Sequence, residues 1–228
     1  RSGYTDKVLR ENTRKALEYS KDHKPAMVCL GNEPHGGFEQ VKKNVAAYKS
    51  VYEAIKAHDP SIFVVSTSVG PDENYFNLEY YKYLDAYDFH TYESYQGMAG
   101  TMQKYYALMK KHNAVKPLFC TEFGLNSQGM SRLKVASELY KKFTTFFAEG
   151  GAVASWFGLI YPDTKGTNAK SFGQAHNVFY CRFNQYNPKL DAVAYYHTVN
   201  DICDKSFKER KIYPDGQMLH LFENKDGE

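Results

Sequence analysis

Two acidic residues stand where apolar runs of the chain give out. Glu33 follows Asn32 in "MVCLGNEPHGG", and Glu122 sits in "FCTEFG". Between them come His90 and Tyr92 in "DFHTY", and beyond them Trp156, the single tryptophan, in "ASWFG". Two carboxyl groups in one mouth are what glycosidic bond cleavage needs. One must be protonated to release the leaving oxygen, and the other ionised to meet the anomeric carbon of the sugar. Neither can do both jobs at once, so their surroundings must drive their proton affinities apart. Each residue also has a plainer reading. Glu33 ahead of Pro34 could favour a helix N-terminus. Glu122 could close an ion pair in a loop, His90 could be a hydrogen-bonded histidine at the core edge, and Trp156 could be core. The occurrence of all of them in one order along the chain favours the chemistry.

The elements that must position these groups alternate between strand and helix about every thirty residues, the length of one βαβ unit. "TDKVLRENTRKALEYSKDH" reads as a helix capped by Thr5, and "AMVCLGNEP" as a buried strand. In "FEQVKKNVAAYKSVYEAIKAHDP" the residues Phe38, Val41, Val45, Tyr48, Tyr52 and Ile55 step by three and four, which predicts an amphipathic helix ending by Pro60. The strand "SIFVVSTSVG", with Ser66 and Ser68 at its end, precedes a shorter helix in "YFNLEYYKYLDAY". "YDFHTY", "KPLFCTEFG" and "AVASWFGLIYPD" are further strands; helices fall in "GTMQKYYALMKKHN", "SRLKVASELYKKFTTFFAEGG" and "KLDAVAYYHTVNDIC". The five strands are apolar throughout, as in a parallel sheet covered on both faces. The expected class is therefore α/β, with ligands bound at the carboxyl ends of the strands.

Composition narrows the partners. Twenty-nine Lys and Arg against 26 Asp and Glu leave a net charge of only +3, scattered rather than striped, so no nucleic-acid partner is expected. No apolar run is long enough to span a bilayer, so no membrane partner is expected either. The 20 Tyr and 15 Phe are mostly core or core-edge residues by this reading, although a tyrosine ring also suits a sugar face. Cys29 and Cys120 read as small core residues, while Cys181 and Cys203 could pair, which spacing alone does not establish. No Cys/His spacing fits zinc, and Glu33, His35 and His90 match no metal-ligand spacing, so neither metal nor cofactor is expected. There is no G-x-G-x-x-G, no P-loop, and no G-x-S-x-G around Ser66 or Ser68.

Taken as a set, "GNEP", "FHTY", "TEFG" and "SWF" on successive strands resemble clan A of the retaining glycoside hydrolases, over about Ala26 to Asp163. The resemblance implies a TIM, or (β/α)8, barrel. It assigns Glu33 as acid/base and Glu122 as nucleophile. Asn32 would bond the sugar 2-hydroxyl, and Tyr92 would hold the nucleophile ionised and oriented. His90 would serve the central subsite and Trp156 would lie under its sugar. His35, Tyr95, Tyr161, Asp163 and His176 would rim the cleft. By the same alignment the chain carries strands four to eight of an incomplete barrel, with residues 1–211 the C-terminal part of the catalytic domain. Residues 212–228, from the "YPDG" turn, would begin a small β-sandwich. The expected partners are a β-linked carbohydrate and the N-terminal barrel segment. Without that segment five strands leave two open edges, so the piece alone is expected to be poorly stable or inactive. The compartment stays open, with a secreted or periplasmic one expected. The competing readings are a non-catalytic carbohydrate-binding barrel and an open five-stranded α/β domain of other function.

Overall fold

The structure, a computed structural model, describes residues 5–66, 68–160, 176–180 and 186–227. Two of its longer helices begin where a polar side chain satisfies a free N–H group of the first turn. The Thr5 hydroxyl accepts from Val8 N–H to open α1 (Asp6–Tyr19), and the Ser131 hydroxyl accepts from Lys134 N–H to open α5 (Arg132–Ala148). Helix α2 (Phe38–His58) buries Val41, Val45, Tyr48 and Ile55 from the expected stripe, but leaves Phe38 exposed. The single helix expected after Pro71 is broken. Helix α3 (Glu73–Asn77) stops, Glu79 turns into left-handed backbone at φ 57°, and a 3-10 turn follows over Tyr80–Tyr83. Helices α4 (Tyr95–Lys111) and α6 (Leu190–Ile202) are the other long helices among the described residues.

Five short strands carry the expected alternation. Strands β1 (Met27–Cys29) and β2 (Phe63–Val65) pair in parallel, with Val28 opposite Val64. A parallel bridge from Val65 to Ala86 leads to β3 (Tyr87–Thr91). Strands β3, β4 (Leu118–Gly124) and β5 (Val153–Phe157) then lie in that order in one sheet. The middle strands are buried nearly throughout. Strands β1 and β5 are not: Met27, Cys29 and Val153 are exposed, so the expectation of five doubly covered strands, and of Cys29 as a core residue, is corrected. Cys120 is buried as expected.

The chain forms two compact units, Arg1–His90 with Gln103–Phe119, and Thr91–Met102 with Cys120–Glu228. In the first, Tyr48, Tyr75, Tyr80, Tyr87 and Tyr105 are core, whereas Tyr19 is exposed. Phe76 stacks on Tyr87 at 5.4 Å and meets Tyr80 edge-on at 5.2 Å, while Tyr87 lies 5.9 Å from Tyr105. Their hydroxyls are used inside: Tyr87 donates to the Ala114 carbonyl at 2.7 Å, and Tyr105 donates to the carbonyls of Val69 and Asp88. At the rim, Asp85 closes the end of β2, accepting from Val64 N–H at 2.8 Å and from the Lys56 ammonium at 2.6 Å.

In the second unit, Phe123 of β4 packs edge-on against Phe143 of α5 at 4.8 Å and against Trp156 of β5 at 5.8 Å. Strands β6 (Phe179–Tyr180) and β7 (Asn187–Pro188) form a two-residue antiparallel pair. The "YPDG" turn joins β8 (Ser206–Ile212) to β9 (Met218–Glu223) in a hairpin, tied to the end of α5 by Arg210, which donates to Glu149 at 2.6 Å. Strand β8 was not foreseen, because "SFKERKI" carries too many charges to look like a strand. The expected boundary at residue 212 therefore falls inside the hairpin.

Phe76 is fully buried in the aromatic cluster, whereas Val115 is 78% exposed. Phe76→Ala should lower unfolding free energy by about 3–5 kcal/mol, and Val115→Ala should change it by no more than about 0.5 kcal/mol, both read from denaturant unfolding.

Candidate active site

The first unit holds Glu33, His90, Asn32 and His35. The chain leaves β1 through Gly31 at φ 107° and reaches Glu33 at φ 38°, a left-handed conformation that costs a side-chain-bearing residue energy and that clusters at functional sites. Glu33 N–H donates to the Ser68 hydroxyl at 3.0 Å, which anchors the strained turn. Its side chain stays 41% exposed, and Oε1 lies 2.8 Å from His90 Nδ1. His90 is nearly buried. Its Nε2 faces Asp88 Oδ2 at 3.7 Å, so Asp88 and His90, two apart on β3, work on one face of the strand. Asp88 N–H in turn donates to the Ser66 hydroxyl at 2.8 Å. The two serines thus serve as acceptors that fix backbone around the site. Asn32 and His35 are exposed in the same loop.

The second unit holds Tyr92 and Glu122. Tyr92 directly follows β3 and keeps the parity of Asp88 and His90. Its hydroxyl donates to Glu122 Oε2 at 2.6 Å. A donor to the charged form of a carboxyl group favours that form. The phenol ring needs room, and Gly124 supplies it: a Cβ there would lie 2.6 Å from the Phe157 carbonyl and 2.8 Å from Tyr92 Cε1. Phe157 meets the Tyr92 ring edge-on at 5.9 Å, and His176 does so at 5.0 Å. His176, expected on an open rim, is buried, and that burial pushes its imidazole below the usual histidine range.

Trp156 departs from its expected role. The indole is 6% exposed, stacks on Phe143 of α5 at 5.8 Å, and offers no open face to a sugar. Strand parity is the reason: Trp156 points at the helix layer, and the next residue, Phe157, turns toward Tyr92. Tyr95 also sits elsewhere, as the first residue of α4, with Lys141 over its ring and the β9 residues His220 and Phe222 lining the same cavity. Tyr161, Asp163 and Cys181 lie outside the described residues. Phe157, Gly124 and the buried Lys142 were not singled out from sequence. Only the Gly after "TEF" carried a signal, as a place where backbone or ring must approach closely.

Within the first unit, Glu33 and His90 bring one carboxylate oxygen and one imidazole nitrogen together at 2.8 Å. What the arrangement offers is an acid beside an imidazole in one unit and a carboxylate under a phenol in the other.

The sequence profile of the cellulase family, glycosyl hydrolase family 5, matches residues 5–161. Among solved structures, a family 39 glycoside hydrolase from the gut symbiont Bacteroides cellulosilyticus WH2 is similar with a TM-score of 0.71 at 14% identity, over 98% of this chain and 50% of that one. The GH53 catalytic domain of Ignisphaera aggregans is similar at 0.62 and 17% identity, over 87% of this chain and 67% of that one. A GH10 xylanase from Bispora sp. MEY-1, solved with xylobiose, is similar at 0.57 and 12% identity, over 85% and 67%. At these identities the likeness concerns the fold, that of an incomplete (β/α)8 barrel, and the chain spans half the length of the family 39 structure. No curated protein sequence matches the chain.

Two glycines should respond in opposite ways. Gly124→Ala, forced against the Phe157 carbonyl and Tyr92, should destabilise by about 1–3 kcal/mol. Gly100→Ala, within α4 and with open space around it, should stabilise by about 0.5–1 kcal/mol. Denaturant midpoints of the two variants measure both.

Proposed function

The chain belongs to the cellulase family, glycosyl hydrolase family 5, and on that premise we propose that it cleaves β-glycosidic bonds of an oligo- or polysaccharide with retention of configuration. Glu122 is the nucleophile and Glu33 the acid/base. In the first step the Glu122 carboxylate attacks the anomeric carbon as the bond to the leaving oxygen breaks, and Glu33 gives that oxygen its proton. A glycosyl ester on Glu122 results. In the second step Glu33 takes a proton from water, the water oxygen attacks the anomeric carbon, and Glu122 leaves as carboxylate.

The observation that carries this reading is the 2.6 Å bond from the Tyr92 hydroxyl to Glu122, which suits a carboxylate that must stay charged and aimed. The contact of Glu33 with His90 supports the other role, since an imidazole can donate to the ionised acid or accept from the protonated one. Asn32 and His35, exposed beside Glu33, are proposed to bind substrate hydroxyls. Phe157, edge-on to Tyr92 at 5.9 Å, is proposed as the apolar wall against the sugar. The family's description and the neighbouring xylanase support a panel of cello- and xylo-oligosaccharides with aryl β-glycosides as first substrates.

Glu122→Ala should abolish hydrolysis, and azide should restore turnover with an inverted glycosyl azide. Glu33→Ala should slow substrates with poor leaving groups by about 10²- to 10⁴-fold, and azide should restore turnover with a retained product. Product configuration by NMR decides: the same anomer from both variants would remove the role assignment, and full activity in either would remove that residue.

A further inference from the structure

Lys142 is a fully buried lysine in α5, and the reaction as proposed makes no use of it. An ammonium without water needs all three of its N–H groups satisfied. Here the partners are three backbone carbonyls: Gly124 at 2.6 Å, Glu93 at 2.8 Å and Thr91 at 3.3 Å. The face of the Phe123 ring lies 4.9 Å away and adds a favourable contact for the charge. Among the described residues, no carboxylate bonds it directly. The charged and titratable groups that face it are Cys120 from β4, Glu138 one turn earlier on α5, and Glu93 just beyond β3.

The choice of carbonyls matters. Thr91 and Glu93 stand on either side of Tyr92, and Gly124 lies two residues past Glu122 on the same face of β4. One ammonium therefore ties the backbone around the phenol to the strand that carries the carboxylate. Those are the two partners of the Tyr92–Glu122 hydrogen bond. Resting on the proposed role of Glu122, we propose that Lys142 is a positioning residue of the nucleophile: its ammonium fixes the backbone on both sides of Tyr92 against β4 and so holds the Tyr92 hydroxyl on Glu122.

This assignment has a pH signature. Burial pushes the Lys142 pKa down to about 8, against the opposing pull of Cys120, Glu138 and Glu93. Below that value the ammonium has a donor for each carbonyl. Above it the amine keeps two donors and turns a lone pair toward a group of acceptors, so the clamp loosens as pH rises through about 8.

The test uses the full-length protein labelled with ¹³C-tyrosine, the Tyr92 signals being assigned through Tyr92→Phe. The Tyr92 ring signals should shift between about pH 7 and 9 with a midpoint near 8, and Lys142→Met should remove the shift. Signals that hold still in the wild type, or that move equally in Lys142→Met, overturn the proposal. In turnover, Lys142→Met should lower kcat by about 10²-fold with KM changed by less than about twofold. The same substitution made on Tyr92→Phe should cost less than about threefold, because the hydroxyl it positions is already gone. Equal losses in the two backgrounds overturn the proposal. Should Lys142→Met fail to fold, the wild-type titration still decides. Should Glu122→Ala leave turnover intact, the glycosidase reading falls by itself, and the labelled-tyrosine titration still judges the clamp.

Discussion

A carboxylate that is to attack carbon must be charged in a place where water is scarce, and the protein must supply what water would have given it. For Glu122, the proposed nucleophile, the 2.6 Å hydrogen bond from Tyr92 would be that supply, and several residues of the second unit surround it. Gly124 removes the Cβ that would strike Tyr92 and the Phe157 carbonyl. Phe157 and His176 wall the phenol on two sides, which restricts where its hydroxyl can point. Lys142 donates to the carbonyls of Thr91, Glu93 and Gly124, at and just beyond the ends of β3 and β4. A neutral side chain of the same length could fill that space, but it could not satisfy three acceptors.

The first unit meets a different demand. Glu33 must leave an apolar strand abruptly and present its carboxyl group half-exposed. The left-handed backbone at Glu33 accomplishes the turn, and its N–H is absorbed by Ser68. The cost of such a conformation, about 1–3 kcal/mol, is carried by a well-packed aromatic core. Tyr87 and Tyr105 lock the base of β3 through hydroxyl-to-carbonyl bonds below Asp88 and His90. Tyr87 and Tyr105 are core residues whose hydroxyls close on backbone carbonyls, a structural use that needs no sugar.

How much of this was legible in the residues follows from which physical rule wrote them. Helix starts were readable because Thr5 and Ser131 cap by their own side chains, a local interaction. The order of strands and the acids at their ends were readable because apolar runs and the polar residues that stop them lie in one continuous stretch. Trp156 was misplaced because its side-chain direction depends on strand parity relative to α5, and a run apolar on both faces does not reveal parity. Strand β8 was missed because its charges sit on a two-stranded hairpin with solvent on its faces, where no apolar pattern is required. Cys29 looked like core from its apolar neighbours, but burial is a property of what covers a strand. Lys142 is the instructive case. In sequence it is one of two adjacent lysines in an amphipathic helix, and only the three carbonyls that meet it in space distinguish it from Lys141.

The local chemistry also bears on which acid does which job, independently of family likeness. A phenol hydroxyl donates to a carboxylate from one fixed direction, so a carboxylate bonded to it is held in one orientation. An imidazole can both give and accept, so a carboxyl group bonded to it can change protonation without losing its partner. Glu122 has the first kind of neighbour and Glu33 the second. The Glu33 side chain is also 41% exposed, which suits a group that is to exchange a proton with leaving group and water in turn. Reversing the roles would ask the phenol-bound acid to take up and release a proton in every cycle, and would ask the half-exposed acid beside an imidazole to remain charged and still. The neighbours of the two residues argue for the roles as proposed: a carboxylate held in place by a phenol at Glu122, and a carboxyl group beside an imidazole that can both give and accept at Glu33.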